Sequence, residues 1–228
     1  MDNWKNNTIW FDDIPENILL YLNLKEEKIK EMTLNDIEYL ILWHYKKSKL
    51  GNFVEIPKSL LYLELNWSNI QSFAGIENLS KIKRLELHYC TKLEEDCGLS
   101  KIADTIEHLH INHSKKFVPS EELFSLKNLR VLSLNSCGNL ENLSFLNHFP
   151  KLIDFRFVDT NVIDGDLSPI IQHPTIRSVG FLDKRHYNIS EQTMDSLLEE
   201  KNSSDVDYKT TIMKRDGSRK YYTFRYNY

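Results

Sequence analysis

One spacing constrains this chain more than any other feature: an apolar-x-x-apolar-x-apolar triplet that returns at nearly fixed intervals. The clearest copy is Ile82, Leu85, Leu87, followed by Cys90 and Leu93. The same frame returns as Ile106, Leu109, Ile111, Ser114, Phe117, then as Leu129, Leu132, Leu134, Cys137, Leu140, then as Leu152, Phe155, Phe157, Thr160, Ile163. Upstream stand Leu60, Leu63, Leu65, Ser68, with Ile70 one residue early. Weaker copies flank these, at Ile37, Leu40, Leu42 and at Ile176, Val179, Phe181. The copies start at 37, 60, 82, 106, 129, 152 and 176, so successive differences are 23, 22, 24, 23, 23 and 24. An eighth copy is read at Leu19, Leu22, Leu24, where Ile14-Pro15 echoes the Ile56-Pro57 that precedes Leu60.

The last two apolar positions of each triplet lie two residues apart. On a strand both therefore point to one side while their neighbours point to the other. One such unit has nothing to bury its apolar side against, so adjacent units must stack and cover one another. The strands of a stack form a parallel sheet, and the rest of each unit returns along the opposite side. Apolar series on those return arcs fit this, notably Leu123, Leu126, Leu129 and Leu143, Leu146, Phe149, Leu152, with Leu167, Ile170, Ile171 after them. Ser68, Cys90, Ser114, Cys137 and Thr160 recur at one place in the unit, where small side chains fit inside a turn and bond local backbone groups.

The repeat length and pattern resemble those of leucine-rich-repeat proteins of bacterial style. The stretch Ile70-Gln71-Ser72-Phe73-Ala74-Gly75-Ile76-Glu77-Asn78-Leu79 is similar to an internalin-type unit, with apolar residues at every third position of a short helical arc. The resemblance covers roughly residues 15–185. It implies an α/β solenoid, a horseshoe with a parallel sheet on its concave face. The chain departs from the family in lacking the usual buried asparagine, which implies a less regular ladder.

Three regions are expected: residues 1–36 as N-terminal cap and first repeat, 37–185 as repeats, and 186–228 as a C-terminal helix and hairpin. Trp4, Trp10, Phe11, Asp12 and Asp13 supply the first cap. Ser190 begins a helix with Met194, Leu197 and Leu198 on one face. Two alternating runs joined by Asp216-Gly217 predict a hairpin, with Tyr222 and Phe224 closing the solenoid near Phe181. Residues 205–228 hold six Lys or Arg and three Asp, a charge of +3 against −7 for the remainder. Capping is preferred over nucleic-acid contact for that segment.

The net charge of −4 argues against a general nucleic-acid binder, and no nucleic-acid partner is expected. Three cysteines without paired spacing predict reduced thiols, with Cys97 packed on a return arc. Neither an apolar leader at the start nor a membrane-length apolar run is visible, so a cytoplasmic protein without membrane contact is expected. No phosphate loop, H-E-x-x-H or G-x-S-x-G motif occurs. Neither an enzyme nor a cofactor is expected.

The outward strand positions remain, and they predict a partner-binding face: Tyr62, Glu64, Trp67, Arg84, Glu86, His88, Tyr89, His108, His110, His113, Asp154 and Arg156. Tyr39 and Trp43 add to the aromatics over its first half, unless the N-terminal cap covers them. His108, His110 and Glu86 lie close enough across adjacent strands for metal ligation. Contact with a partner is the preferred use, and no metal is assigned. Together these features predict a non-catalytic module that occupies one protein partner, namely an immunity protein and its cognate toxin. The alternatives are a host-directed effector or adhesin using the same face and, behind it, an enzyme or metal protein.

Overall fold

Alternation within each repeat produces one short strand per unit. These are β1 (Leu19–Asn23), β2 (Tyr39–Trp43), β3 (Tyr62–Asn66), β4 (Arg84–His88), β5 (His108–Asn112), β6 (Val131–Asn135), β7 (Asp154–Arg156) and β8 (Ser178–Gly180). In the computed structural model, which describes residues 11, 14–26, 34–52, 58–203, 208–215 and 219–226, they form a single eight-stranded parallel sheet in chain order. The open sheet and its stacked returns are the predicted solenoid.

Equivalent repeat positions stand side by side. Leu63 pairs with Leu85, Leu85 with Leu109, Leu109 with Leu132, and Leu132 with Phe155. All five are fully buried, as the spacing predicts. The return arcs close the other side of this core through Leu126, Leu129, Leu146, Phe149, Leu167 and Ile170.

The first copy has a different frame from the one read in the sequence. Leu20 pairs with Leu40 and Leu22 with Leu42, so the inward pair is Leu20 and Leu22, not Leu22 and Leu24. The copy therefore begins at residue 17, 20 before the next (37 − 17 = 20). Four leucines within six residues satisfy two frames equally well in the sequence, and pairing with β2 selects one.

The recurring small polar residues do bridge neighbouring units. Ser114 Oγ donates to the Cys90 carbonyl at 3.1 Å, and Thr160 Oγ1 donates to the Leu134 carbonyl at 2.6 Å while accepting from Cys137 N at 2.9 Å. Burial pushes the Cys90 and Cys137 thiols up to about 12, which makes them packing groups. Cys97, in contrast, is exposed, because its arc turns that side chain outward.

A second bridge lies on the return arcs. The buried carboxylate of Asp96 accepts from Ser120 N at 2.8 Å, Leu123 N at 3.0 Å and Ser120 Oγ at 2.6 Å. It thereby caps the next unit's short helix α1 (Glu121–Phe124). Ser168–Gln172 form α2, and the predicted C-terminal helix is α3 (Glu191–Ser203). Ser190 Oγ accepts from Thr193 N at 3.2 Å, and Met194 and Leu198 are buried. The predicted hairpin exists as antiparallel β9 (Tyr208–Arg215) and β10 (Arg219–Tyr226). Its turn at Asp216-Gly217 and the docking of Tyr222 and Phe224 on Phe181 lie outside what is described, as do Trp4, Trp10, Asp12 and Asp13.

Candidate partner-binding face

Every strand from β2 to β7 leads into a residue with left-handed backbone, and none of these is glycine. The φ angles are 61° at His44, 52° at Trp67, 55° at Tyr89, 57° at His113, 49° at Ser136 and 56° at Asp159. L-residues pay about 1–2 kcal/mol each for this region, and Trp and Tyr have no local hydrogen bond to offset it. Tertiary bonding holds them there: Trp67 N donates to the His88 carbonyl, Tyr89 N to that of Asn112, and His113 N to that of Asn135, at 2.9–3.0 Å. The same turn repeated in successive units carries its side chains in a row along one rim of the sheet.

Rings occupy the middle of that row. Trp67 and Tyr89 stack with centroids 4.4 Å apart and planes 6° from parallel, and Tyr89 stacks on His113 at 4.4 Å and 29°. Trp67 is 51% exposed and Tyr89 36%. Nearby, Trp43 is also exposed and meets His44 edge-on. A continuous aromatic ledge in water does little for folding and is well suited to burial against a partner.

The sheet beside the ledge is more closed than alternation alone implies. Five of the residues predicted to touch a partner, Tyr62, Arg84, Glu86, His108 and Asp154, are buried. Phe11 from the N-terminal segment packs edge-on against Tyr62 at 5.6 Å and against Tyr21 at 6.3 Å. With Ile14 it covers Tyr39, Ile41 and Tyr62. The covering expected of the cap therefore applies to Tyr39 and Tyr62 but spares Trp43. Tyr21 is also exposed, on β1, and it is an outward position in either frame of the first repeat, because a two-residue shift preserves alternation.

Arg84, Glu86 and His108 are buried by one another and by neighbouring side chains. Arg84 Nε donates to Glu86 Oε1 at 2.6 Å, and Glu86 Oε2 lies 3.1 Å from His88 Nε2 and 3.7 Å from His110 Nδ1. Burial pushes Glu86 up, but Arg84 and the two histidines outweigh it and hold the carboxyl well below the usual glutamate range. Burial likewise opposes the charge on His88, yet its contacts with Glu86 raise it. Burial, reinforced by Arg84, holds His108 well below the usual imidazole value.

Glu64 differs from these. It accepts from Tyr62 Oη at 2.5 Å and from Asn66 Nδ2 at 2.6 Å, both neutral donors, so among the described residues this half-exposed carboxylate lies in no ion pair. Burial, with the charges of Glu86 and Glu64, raises the Tyr62 hydroxyl well above its ordinary value and keeps it a donor. At the far end, Arg156 Nε donates to the buried Asp154 at 2.9 Å. The structure thus separates the predicted set. Trp67, Tyr89 and His113 form the ledge, Glu64, His88, His110 and Arg156 stay partly accessible, and the other five lie beneath.

No family model matches the sequence, and no curated protein matches it. Among solved structures, an internalin from Listeria monocytogenes is similar, with 13% sequence identity and a TM-score of 0.51 over 69% of this chain. The matched part spans 48% of that internalin, about half its length. At that identity the likeness is one of fold, and together with the eight stacked parallel strands it makes this chain a leucine-rich-repeat solenoid with an internalin-like architecture.

Proposed function

We propose that this chain is a non-catalytic module that recognises one protein partner through the rim ledge and the adjoining concave face. The observation that carries the reading is the exposed Trp67–Tyr89–His113 stack, held on backbone that costs free energy to maintain. Rings fixed by stacking and by inter-repeat bonds lose little freedom on binding, which favours affinity. Glu64 adds a preoriented carboxylate that lies in no ion pair among the described residues, which favours a basic group on the partner.

The role we infer is blockade: an immunity protein acting in the cytoplasm on its cognate toxin. Occupancy alone neutralises a toxin, and nearly all of the described chain is scaffold for one rigid surface. The test is co-expression with the product of the adjacent gene, reading growth and complex formation. Rescue of growth with a stable complex is expected, and toxicity that persists beside an abundant, folded chain would rule the role out. A host-directed effector or adhesin would use the same face but would not protect against a neighbouring toxin. Trp67→Ala and Tyr89→Ala should each weaken the complex by about 2 kcal/mol, roughly 30-fold, with unchanged circular dichroism. Full affinity in both variants would move the site off the ledge.

A further inference from the structure

The floor of the concave face, beside the aromatic ledge, brings a carboxylate and two imidazoles together. We propose that Glu86, His108 and His110 bind a divalent transition-metal cation, with zinc the best match for two imidazoles and one carboxylate. The register puts Glu86 directly opposite His110 on the adjacent strand, and His108 two residues away on the same face. One donor atom from each of the three lies within 4.8 Å of the other two, and Glu86 Oε2 is 3.7 Å from His110 Nδ1. Zinc holds nitrogen and oxygen at roughly 2.0–2.2 Å, which sets the edges of a tetrahedron near about 3.4 Å. Side-chain rotation of about 1 Å or less per residue closes that difference.

The surroundings suit a cation. Arg84 holds Glu86 by Oε1, which orients the carboxylate and leaves Oε2 facing the histidines. Glu64 and Glu86 together outweigh Arg84 by one negative charge before any ion arrives. His110 is partly accessible, so the ion has an entry path and a position open to water. Loading Nδ1 of His110 replaces its 3.7 Å approach to Glu86 Oε2 and gives up a 3.4 Å contact between Nε2 and Asn135 Nδ2, an amide that keeps Ser133 Oγ at 3.1 Å, while Glu86 Oε2 gives up His88 Nε2 at 3.1 Å. A competing trio, Glu64, Glu86 and His88, offers one imidazole, and its Glu64 is already committed to Tyr62 and Asn66. Arg84 repels the incoming charge, so the affinity expected is micromolar, below that of structural zinc sites.

This site does not depend on the partner-binding reading, and its test is separate. Metal-stripped full-length protein is titrated with zinc chloride by calorimetry, and with cobalt(II) while visible absorption is recorded. One equivalent should bind, with intense tetrahedral-type cobalt bands, and magnesium should not compete. His110→Ala, at a partly exposed position that tolerates truncation, should lose at least tenfold in zinc affinity with an unchanged circular dichroism spectrum. His108→Gln should do the same, and Trp67→Ala should bind zinc normally. The proposal is overturned if folded native protein shows no saturable zinc binding at 100-micromolar-scale metal. It is equally overturned if His110→Ala binds as tightly as the native chain, or if only His88→Ala abolishes binding.

Discussion

Tyr89 combines two opposing effects in one residue: its ring is stacked on both faces while its backbone is left-handed. Replacing it by Ala and by Gly removes the same stack in both cases, but only Gly relieves the backbone. Tyr89→Gly should therefore exceed Tyr89→Ala in unfolding free energy by about 1 kcal/mol, measured by urea denaturation, although neither holds the partner. If Ala proves the more stable, the left-handed φ is not a cost at this turn. His173 tests a buried proton site. Its Nε2 lies 3.1 Å from the Leu146 carbonyl, so it donates there, and Nδ1 accepts from Thr175 N at 3.3 Å. Burial, aided by the nearby Lys201 ammonium, lowers its pKa. The unfolded chain, near about 6.5, then takes up a proton that the folded chain resists. The stability His173 contributes is present above that value and is lost as pH falls through it. Melting temperature should drop between pH 7 and 5, and His173→Gln should flatten that slope. An identical slope in the variant would assign the loss to other groups.

At the scale of the repeat, one unit is held to the next by close contacts on the arc side as well as by strand pairing. Gly98 has φ 104°, and a Cβ there would lie 2.4 Å from the Phe73 carbonyl oxygen of the preceding unit. Both the backbone and the neighbour exclude a side chain, and the neighbour is main chain that cannot rotate away. Gly98→Ala should lower the melting temperature markedly, whereas Lys101→Ala, exposed on the same arc, should leave it within error. Equal melting of the two variants would mean that adjacent arcs slide apart cheaply. Asp96, on the same arc as Gly98, joins it to the following arc by capping α1, so each unit completes its neighbour's hydrogen bonding as well as its core.

At the scale of the whole molecule, the inward apolar core of the described residues is continuous from Leu22 to Leu198, with a smaller cluster of Ile14, Tyr39, Ile41 and Tyr62 on the outward side, and a stack of this kind leaves its last strand with an open edge. We expect the segment after Ser203, with its β9–β10 hairpin, to act as the terminal cap. Ending the chain at Ser203 should lower thermal stability and promote aggregation, read by calorimetry and light scattering. Unchanged melting would make the hairpin an appendage and reopen its basic, aromatic strands as a contact surface.

By itself the sequence determined the inward half of this protein. The two-residue step within each triplet and the near-constant interval between triplets leave one arrangement that buries Leu63, Leu85, Leu109, Leu132 and Phe155, and the small polar residues fall into the turns that follow. Tertiary structure alone decided three other matters. It selected the frame of the first repeat, because hydrogen-bonded pairing with β2 discriminates between leucine patterns that composition treats alike. It sorted the outward residues, because exposure of Tyr62, Arg84, Glu86, His108 and Asp154 depends on neighbouring strands and on Phe11 and Ile14 folding over them. It also built the ledge, because a left-handed turn at Trp67 and Tyr89 opposes their intrinsic preference and is imposed by bonds to the next repeat, which no local sequence signal encodes.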